Sequence, residues 1–171
     1  MKLCSNTINE SNLKLLYKLN QQNVPELGSL DNTDRLKSLI DKSFKILILK
    51  ELDQIIGFCL LFKEDSSYDS PNYLYFKNKF DKFLYIDRVV VASSFTGKGG
   101  GKLMYDQVFK VAASDNLTVC CEVNVKPLNK VSLAFHKNLG FLKTNEKVYA
   151  EKKVAFLEKP PLMNNWLRLF I

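Results

Sequence analysis

The run Tyr85-Ile86-Asp87-Arg88-Val89-Val90-Val91-Ala92-Ser93-Ser94-Phe95-Thr96-Gly97-Lys98-Gly99-Gly100-Gly101-Lys102-Leu103-Met104-Tyr105 passes from β-branched residues through glycines into helical spacing. Val89, Val90 and Val91 predict a buried strand, and Leu103 or Met104, Val108, Val111 and Ala112 fall on one face of a following helix. Four of the seven glycines lie between residues 97 and 101. Lacking Cβ atoms, this turn can take left-handed dihedrals and admit a ligand to the bare backbone. The helix it opens turns unpaired N–H groups and the positive end of its dipole the same way. Such a turn suits a phosphate. It has neither the G-x-G-x-x-G of dinucleotide folds nor the G-x-x-x-x-G-K-S/T of a P-loop, so the turn by itself also allows a plain flexible connection.

The second half of the chain adds a second pattern. Thr96-Gly97-Lys98-Gly99-Gly100-Gly101 resembles R/Q-x-x-G-x-G/A, the pyrophosphate signature of the GNAT acetyltransferase superfamily. Asn129-Lys130-Val131-Ser132-Leu133-Ala134-Phe135-His136-Lys137-Asn138-Leu139-Gly140-Phe141 resembles that superfamily's N-x-x-A/S-x-x-hydrophobic-Y/H-x-x-x-G-F. Tyr68-Asp69-Ser70-Pro71-Asn72-Tyr73, Leu84 to Arg88 and Cys121-Glu122-Val123-Asn124 are similar to a branch of GNAT-type acetyltransferases, and the resemblance spans residues 8 to 159. It implies an α/β (α+β) fold with a mixed, mostly antiparallel sheet of six to seven strands and helices on both faces. It also implies acetyl-CoA as the cofactor. Thr96 departs from the pattern, which has Arg or Gln there; the backbone cradle survives, and Lys98 or Lys102 is placed to replace the lost side-chain contact.

The chain length of 171 residues fits one domain. Residues 1–159 are expected to form it, with 160–171 an apolar tail, containing Trp166, Leu167, Leu169 and Phe170, that docks on the domain or on a second subunit. The protein is expected to be a monomer or homodimer in the cytoplasm: no apolar run is long enough to span a membrane, and residues 1–6 do not read as a signal peptide. The net charge of +7 raises nucleic acid as a partner, but only three of the 25 basic residues are arginines, Arg35, Arg88 and Arg168. Scattered lysines predict a solvated surface that helps attract the anionic CoA, and no nucleic-acid partner. Cys4, Cys59, Cys120 and Cys121 form no C-x-x-C pair and there is one His, so no metal site is expected.

Along the chain, Asn9 or Ser11 starts a first helix with Leu13, Leu16, Tyr17 and later Val24 on its apolar stripe, closed by Pro25 and Gly28, and residues 31–34 cap a second with Leu36, Leu39 and Ile40. The resemblance implies that these two helices form one wall of the acceptor site. The runs 45–50 and 55–62 pair as a hairpin, apolar enough to be covered on both faces. Residues 64–83 form the longest connection. Ser70 and Pro71 open a short helix there, with Phe76, Phe80 and Phe83 on its buried face. Tyr68, Asp69, Asn72 and Tyr73 are left as an acceptor-binding loop or as a satellite core. Leu117 to Asn124 is a strand parallel to the central one; Asn129 caps and Gly140 ends the next helix; 141–150 and 152–158 are final strands.

Acetyl transfer to an amine needs a cofactor cradle, a polariser of the carbonyl, a base and a donor to the departing thiolate. The resemblance implies a central strand that splays from its neighbour and assigns the cradle to Thr96, Gly97, Lys98, Gly99, Gly100, Gly101 and Lys102, with Val89, Val90 and Val91 offering backbone in the opening and Asn129, Ser132 and His136 on the second signature's helix. Glu122 corresponds to a base in some members, or is an ordinary paired carboxylate. Asp87, beside Arg88, is a second acceptor-side carboxylate or a structural pair. His136 stands where many members have a proton-donating Tyr, or is a packed core residue. The expected function is acetyl-CoA-dependent N-acetylation of a small-molecule or peptide primary amine; the alternative is an acyl-CoA-binding regulatory module without turnover.

Overall fold

Val91 ends the central strand of a seven-stranded sheet in the computed structural model, which describes residues 1–4 and 8–161. In chain order the elements are β1 (Lys2–Cys4), α1 (Glu10–Gln21), α2 (Thr33–Lys42), β2 (Lys45–Glu51), β3 (Gln54–Lys63), α3 (Pro71–Lys77) and β4 (Phe83–Val91). They continue with α4 (Gly100–Ser114), β5 (Thr118–Lys126), α5 (Lys130–Asn138), β6 (Leu142–Tyr149) and β7 (Lys152–Lys159). The spatial strand order is β1-β2-β3-β4-β5-β7-β6. Every pair is antiparallel except β4–β5. Side chains of α1, α2 and α3 join one apolar layer, and those of α4 and α5 the other. The expected architecture is therefore observed, with β1 added at one edge. The expected apolar tail lies outside the described residues. Among those described, no helix is long and apolar enough to cross a membrane.

Local chemistry explains the elements. The Asn9 and Asn32 side chains accept the Asn12 and Arg35 amides, so each helix begins with one orphan donor satisfied. Leu52 and Asp53 both have positive φ, the conformation that lets a two-residue turn close the β2–β3 hairpin with the correct twist. Ser70 caps α3 and Pro71 fills its first turn as expected, but the helix stops at Lys77. Phe80 thus lies past the helix and Phe83 begins β4. The buried pair on the helix is instead Tyr73 and Phe76, three residues apart. Tyr73 packs against Phe62, Phe83 and Tyr85 with ring centroids 5.6–6.2 Å apart.

One feature of the sheet creates the site. β4 and β5 are paired only where Phe83, Leu84 and Tyr85 meet Thr118, Val119 and Cys120. Beyond this, β4 stays with β3 as far as Val91 opposite Gly57, while β5 stays with β7 as far as Lys126 opposite Lys153. The two strands diverge and leave a wedge. Gly57 lets β3 follow β4 closely, because a Cβ there would lie 2.4 Å from the Val90 carbonyl oxygen.

Candidate active site

The wedge opens into a cavity of about 570 Å³, within the range of small-molecule sites. Its walls are β4 from Ile86 to Val91, β5 from Cys121 to Asn124, the glycine turn, and the inward faces of α4 and α5. A smaller cavity of about 310 Å³ lies against the α1–α2 connection, the start of α3 and the β6–β7 turn. Glu26, Leu27, Asp87, Arg88, Glu122 and Asn124 line both. A group held at these shared residues is reachable from two sides.

The glycine turn is shaped for an anion. Gly97 and Gly99 have φ of +77° and +86°, and a Cβ on either would project into open space. Gly99 is the N-cap of α4 and supplies no capping side chain, so the first-turn amides face outward unpaired and aligned with the helix dipole. Thr96, Gly97, Gly99, Gly101 and Lys102 line the cavity, as do Val89, Val91, Asn129 and Ser132. Three expected cradle residues do not. Gly100 is buried under Leu49 and Val91, where a Cβ would lie 2.7 Å from Leu49 Cδ2, so it serves helix–sheet packing. Lys98 turns its ammonium over the Phe95 ring, 5.1 Å from the centroid. Val90 packs into the opposite apolar layer. Lys102, the other proposed replacement for the signature's Arg, holds Asp106 at 2.8 Å. The residues present fit a pyrophosphate through backbone amides more than through cationic side chains.

Glu122 sits where the cavities meet. Its Oε1 accepts Asn72 Nδ2 at 2.8 Å and its Oε2 accepts the Tyr85 hydroxyl at 2.7 Å. Tyr149 donates its hydroxyl to Asn72 Oδ1 at 2.7 Å. Withdrawal from solvent, with the Asp87 charge nearby, pushes the Glu122 carboxyl up to about 7, even though the Tyr85 and Asn72 hydrogen bonds favour its charged form. It can therefore exchange a proton near neutrality. Asp87 is held differently: Oδ1 accepts the Tyr68 hydroxyl and Oδ2 accepts Arg88 Nε, both at 2.6 Å. Arg88 Nη1 continues to Asn20 Oδ1 at 2.6 Å. Both Asp87 oxygens are thus paired within the wall that the two cavities share.

His136 is buried at the end of the larger cavity. Its Nδ1 lies 2.7 Å from the Ser132 carbonyl oxygen, which can only accept, so Nδ1 carries the hydrogen. Nε2 is then an acceptor, and the Tyr105 hydroxyl, 2.6 Å away, donates to it. Burial lowers the imidazole below its ordinary value, which keeps this neutral tautomer. His136 thus has no free N–H for sulfur in this arrangement, contrary to the expected donor role.

The Tyr68 to Tyr73 segment divides. Tyr68, Asn72 and Asp87 line the smaller cavity. Tyr73 is fully buried, its hydroxyl on the Lys63 carbonyl at 2.7 Å, and Asp69 points to solvent; neither lines a cavity. The expected wall from the N-terminal helices is supplied by their connection: α1 ends at Gln21, short of Val24, and Asn23, Pro25, Glu26, Leu27 and Gly28 line the cavities, while Tyr105, Asn124, Tyr149 and Lys152 were missed as lining residues. Tyr105 had a signal, since it lies one helical turn beyond Gly101 on the same face. Tyr149 had none, being 77 residues from Asn72.

Several solved structures share this architecture. Escherichia coli ribosomal-protein-S18-alanine N-acetyltransferase is similar with a TM-score of 0.69 and 11% identity over 94% of each chain. Chaetomium thermophilum Naa20, solved with a bisubstrate analogue, gives 0.72 and 17% over 94% of this chain and 86% of that one. An aminoglycoside 6'-N-acetyltransferase complexed with coenzyme A gives 0.72 and 14% over 95% and 98%. No curated protein sequence matches. The model of the Acetyltransferase (GNAT) family matches residues 13–141, which include the splayed strands, the glycine turn and Asn129 to Phe141. The chain belongs to the GNAT family of acetyltransferases.

Proposed function

We propose that this acetyltransferase acetylates a primary amine held in the smaller cavity, with Glu122 as the general base. The observation that carries the reading is the position of Glu122 between a cavity with an anion cradle and a second, separately open one. Acetyl-CoA, the acyl donor of the family, supplies an acetyl thioester when bound. The residues that would hold it are the backbone of Val89 and Val91, the amides of Gly97, Gly99, Gly101 and Lys102, and the α5 face bearing Asn129 and Ser132. On the other side Glu122 accepts a proton from the acceptor's ammonium, directly or through one water, and so frees the nitrogen lone pair. Asp87, Tyr68 and Arg88 keep the wall between the two sides in register. The base and cradle favour turnover over a purely regulatory CoA-binding module. Four free cysteines, three of them buried, fit a reducing compartment, and we place the protein in the cytoplasm.

The test is release of CoA thiol from acetyl-CoA in the presence of a panel of amines: amino acids, polyamines, aminoglycosides and peptides with free N-termini. Amine-dependent release, reduced about 100-fold or more in Glu122→Gln, is the expected result. Tight acetyl-CoA binding with no release against every amine would favour the regulatory module instead.

A further inference from the structure

Among the described residues' side-chain hydrogen bonds, Asn72 is the only link between the end of β6 and Glu122. Its amide has two orientations, and only one satisfies both neighbours. With Oδ1 toward Tyr149, the phenol donates to it at 2.7 Å and Nδ2 donates to Glu122 at 2.8 Å. Flipped, Oδ1 would face a carboxylate oxygen, acceptor against acceptor. The ionised Glu122 carboxylate selects this orientation, and the Tyr149 hydroxyl, which lies at the end of β6 on the wall of the smaller cavity, anchors the amide in it. We propose that Tyr149 is a positioning residue: by fixing the Asn72 amide it keeps a hydrogen-bond donor on Glu122, and so couples the acceptor-side hairpin to the base.

The surroundings decide which direction the coupling acts. Tyr85 on β4 donates to the other carboxylate oxygen, so loss of the Asn72 donor leaves Glu122 with one partner where it had two. Asp87 and Arg88, also on β4, oppose each other, and their mutual 2.6 Å contact persists without Tyr149. Glu26 on the α1–α2 connection and Lys152 at the β6–β7 turn line the same cavity, while His136 on α5 and Tyr105 on α4 face the larger one. None of these replaces a neutral donor on Oε1. A carboxylate that loses a donor holds its proton more tightly, so removal of the Tyr149 hydroxyl raises the pH at which Glu122 ionises.

The inference rests on the proposed role of Glu122, but its test uses the protein alone. The carboxyl carbons of glutamate are labelled with ¹³C, the Glu122 resonance is identified by its absence in Glu122→Gln, and its titration midpoint is measured in variants. Asn72→Ala is expected to raise the midpoint by about one unit, the scale of one hydrogen bond to a charged group. Tyr149→Phe is expected to raise it in the same direction, and the double variant no further than Asn72→Ala, because both act through one donor. Asn72→Asp, isosteric with the native residue, keeps an acceptor for Tyr149 and replaces the donor by a second carboxylate; its midpoint should exceed that of Asn72→Ala. A role in stability alone would lower the melting temperature and leave the midpoint in place. An unmoved midpoint in Tyr149→Phe, or shifts that add in the double variant, overturns the proposal. Coupled shifts in a protein that acetylates no amine would uphold the positioning and remove only the catalytic reading of Glu122.

Discussion

Glu122 and His136 are both withdrawn from solvent, and their proton affinities move in opposite directions. Glu122 rises from 4.5 to about 7. The folded state therefore binds this proton more tightly than the unfolded chain does. Its contribution to stability is fully present below 4.5 and is lost as pH rises through about 7. Glu122→Gln should accordingly gain melting temperature relative to wild type as pH is raised from about 5 to about 8, and a pair of thermal melts checks this. The acid limb of the wild-type rate profile should fall below about pH 7 for the same reason. His136 is lowered from 6.5, so the folded state resists its protonation; the stability it contributes is present above 6.5 and is lost as pH falls. Melts of His136→Gln should show the opposite trend, with its deficit relative to wild type shrinking toward acid pH. Neither behaviour was legible in the sequence. The positions of both residues were, through local signatures, but their partners Asn72, Tyr85 and Tyr105 lie 50, 37 and 31 residues away.

At the scale of elements, what could be read was what neighbours along the chain determine. The hairpin β2–β3, the strand β4, the glycine turn and the capped helices α1, α3 and α5 each follow from runs of fewer than about 20 residues. The end of α3 did not, because three aromatics at helical spacing gave the same pattern whether Phe80 and Phe83 continued the helix or left it. The divergence of β4 from β5 was expected from the resemblance alone, because the residues themselves do not mark it: Val89, Val90 and Val91, beyond the paired stretch, are as suited to a paired strand as Phe83, Leu84 and Tyr85 within it. Close approach of β3 to β4 supports that divergence, and Gly57 permits it. Gly57→Ala places a methyl against a backbone carbonyl that cannot swing aside. A destabilisation of about 2 kcal/mol or more is expected, measured by chemical denaturation. Gly101→Ala meets only the Phe135 ring at 3.5 Å and should leave stability within about 1 kcal/mol of wild type.

For the whole molecule, one splayed strand pair joins an anion cradle on the α4 and α5 side to a carboxylate network on the α3 side. The net charge of +7 raises the local concentration of an anionic donor, so donor association should weaken with salt. The most direct test of the central claim, that the wedge and glycine turn form the donor site, is the melting temperature of wild type and Gly101→Glu titrated with acetyl-CoA. Binding to the folded state at 100 times the dissociation constant stabilises by about 2.7 kcal/mol, a rise of about 5–10 °C for a chain of this size. Gly101→Glu, which sets a carboxylate in the cradle, should melt alone as a folded protein and show no rise. A wild-type curve that stays in place up to millimolar acetyl-CoA, or an equal rise in Gly101→Glu, would contradict the assignment.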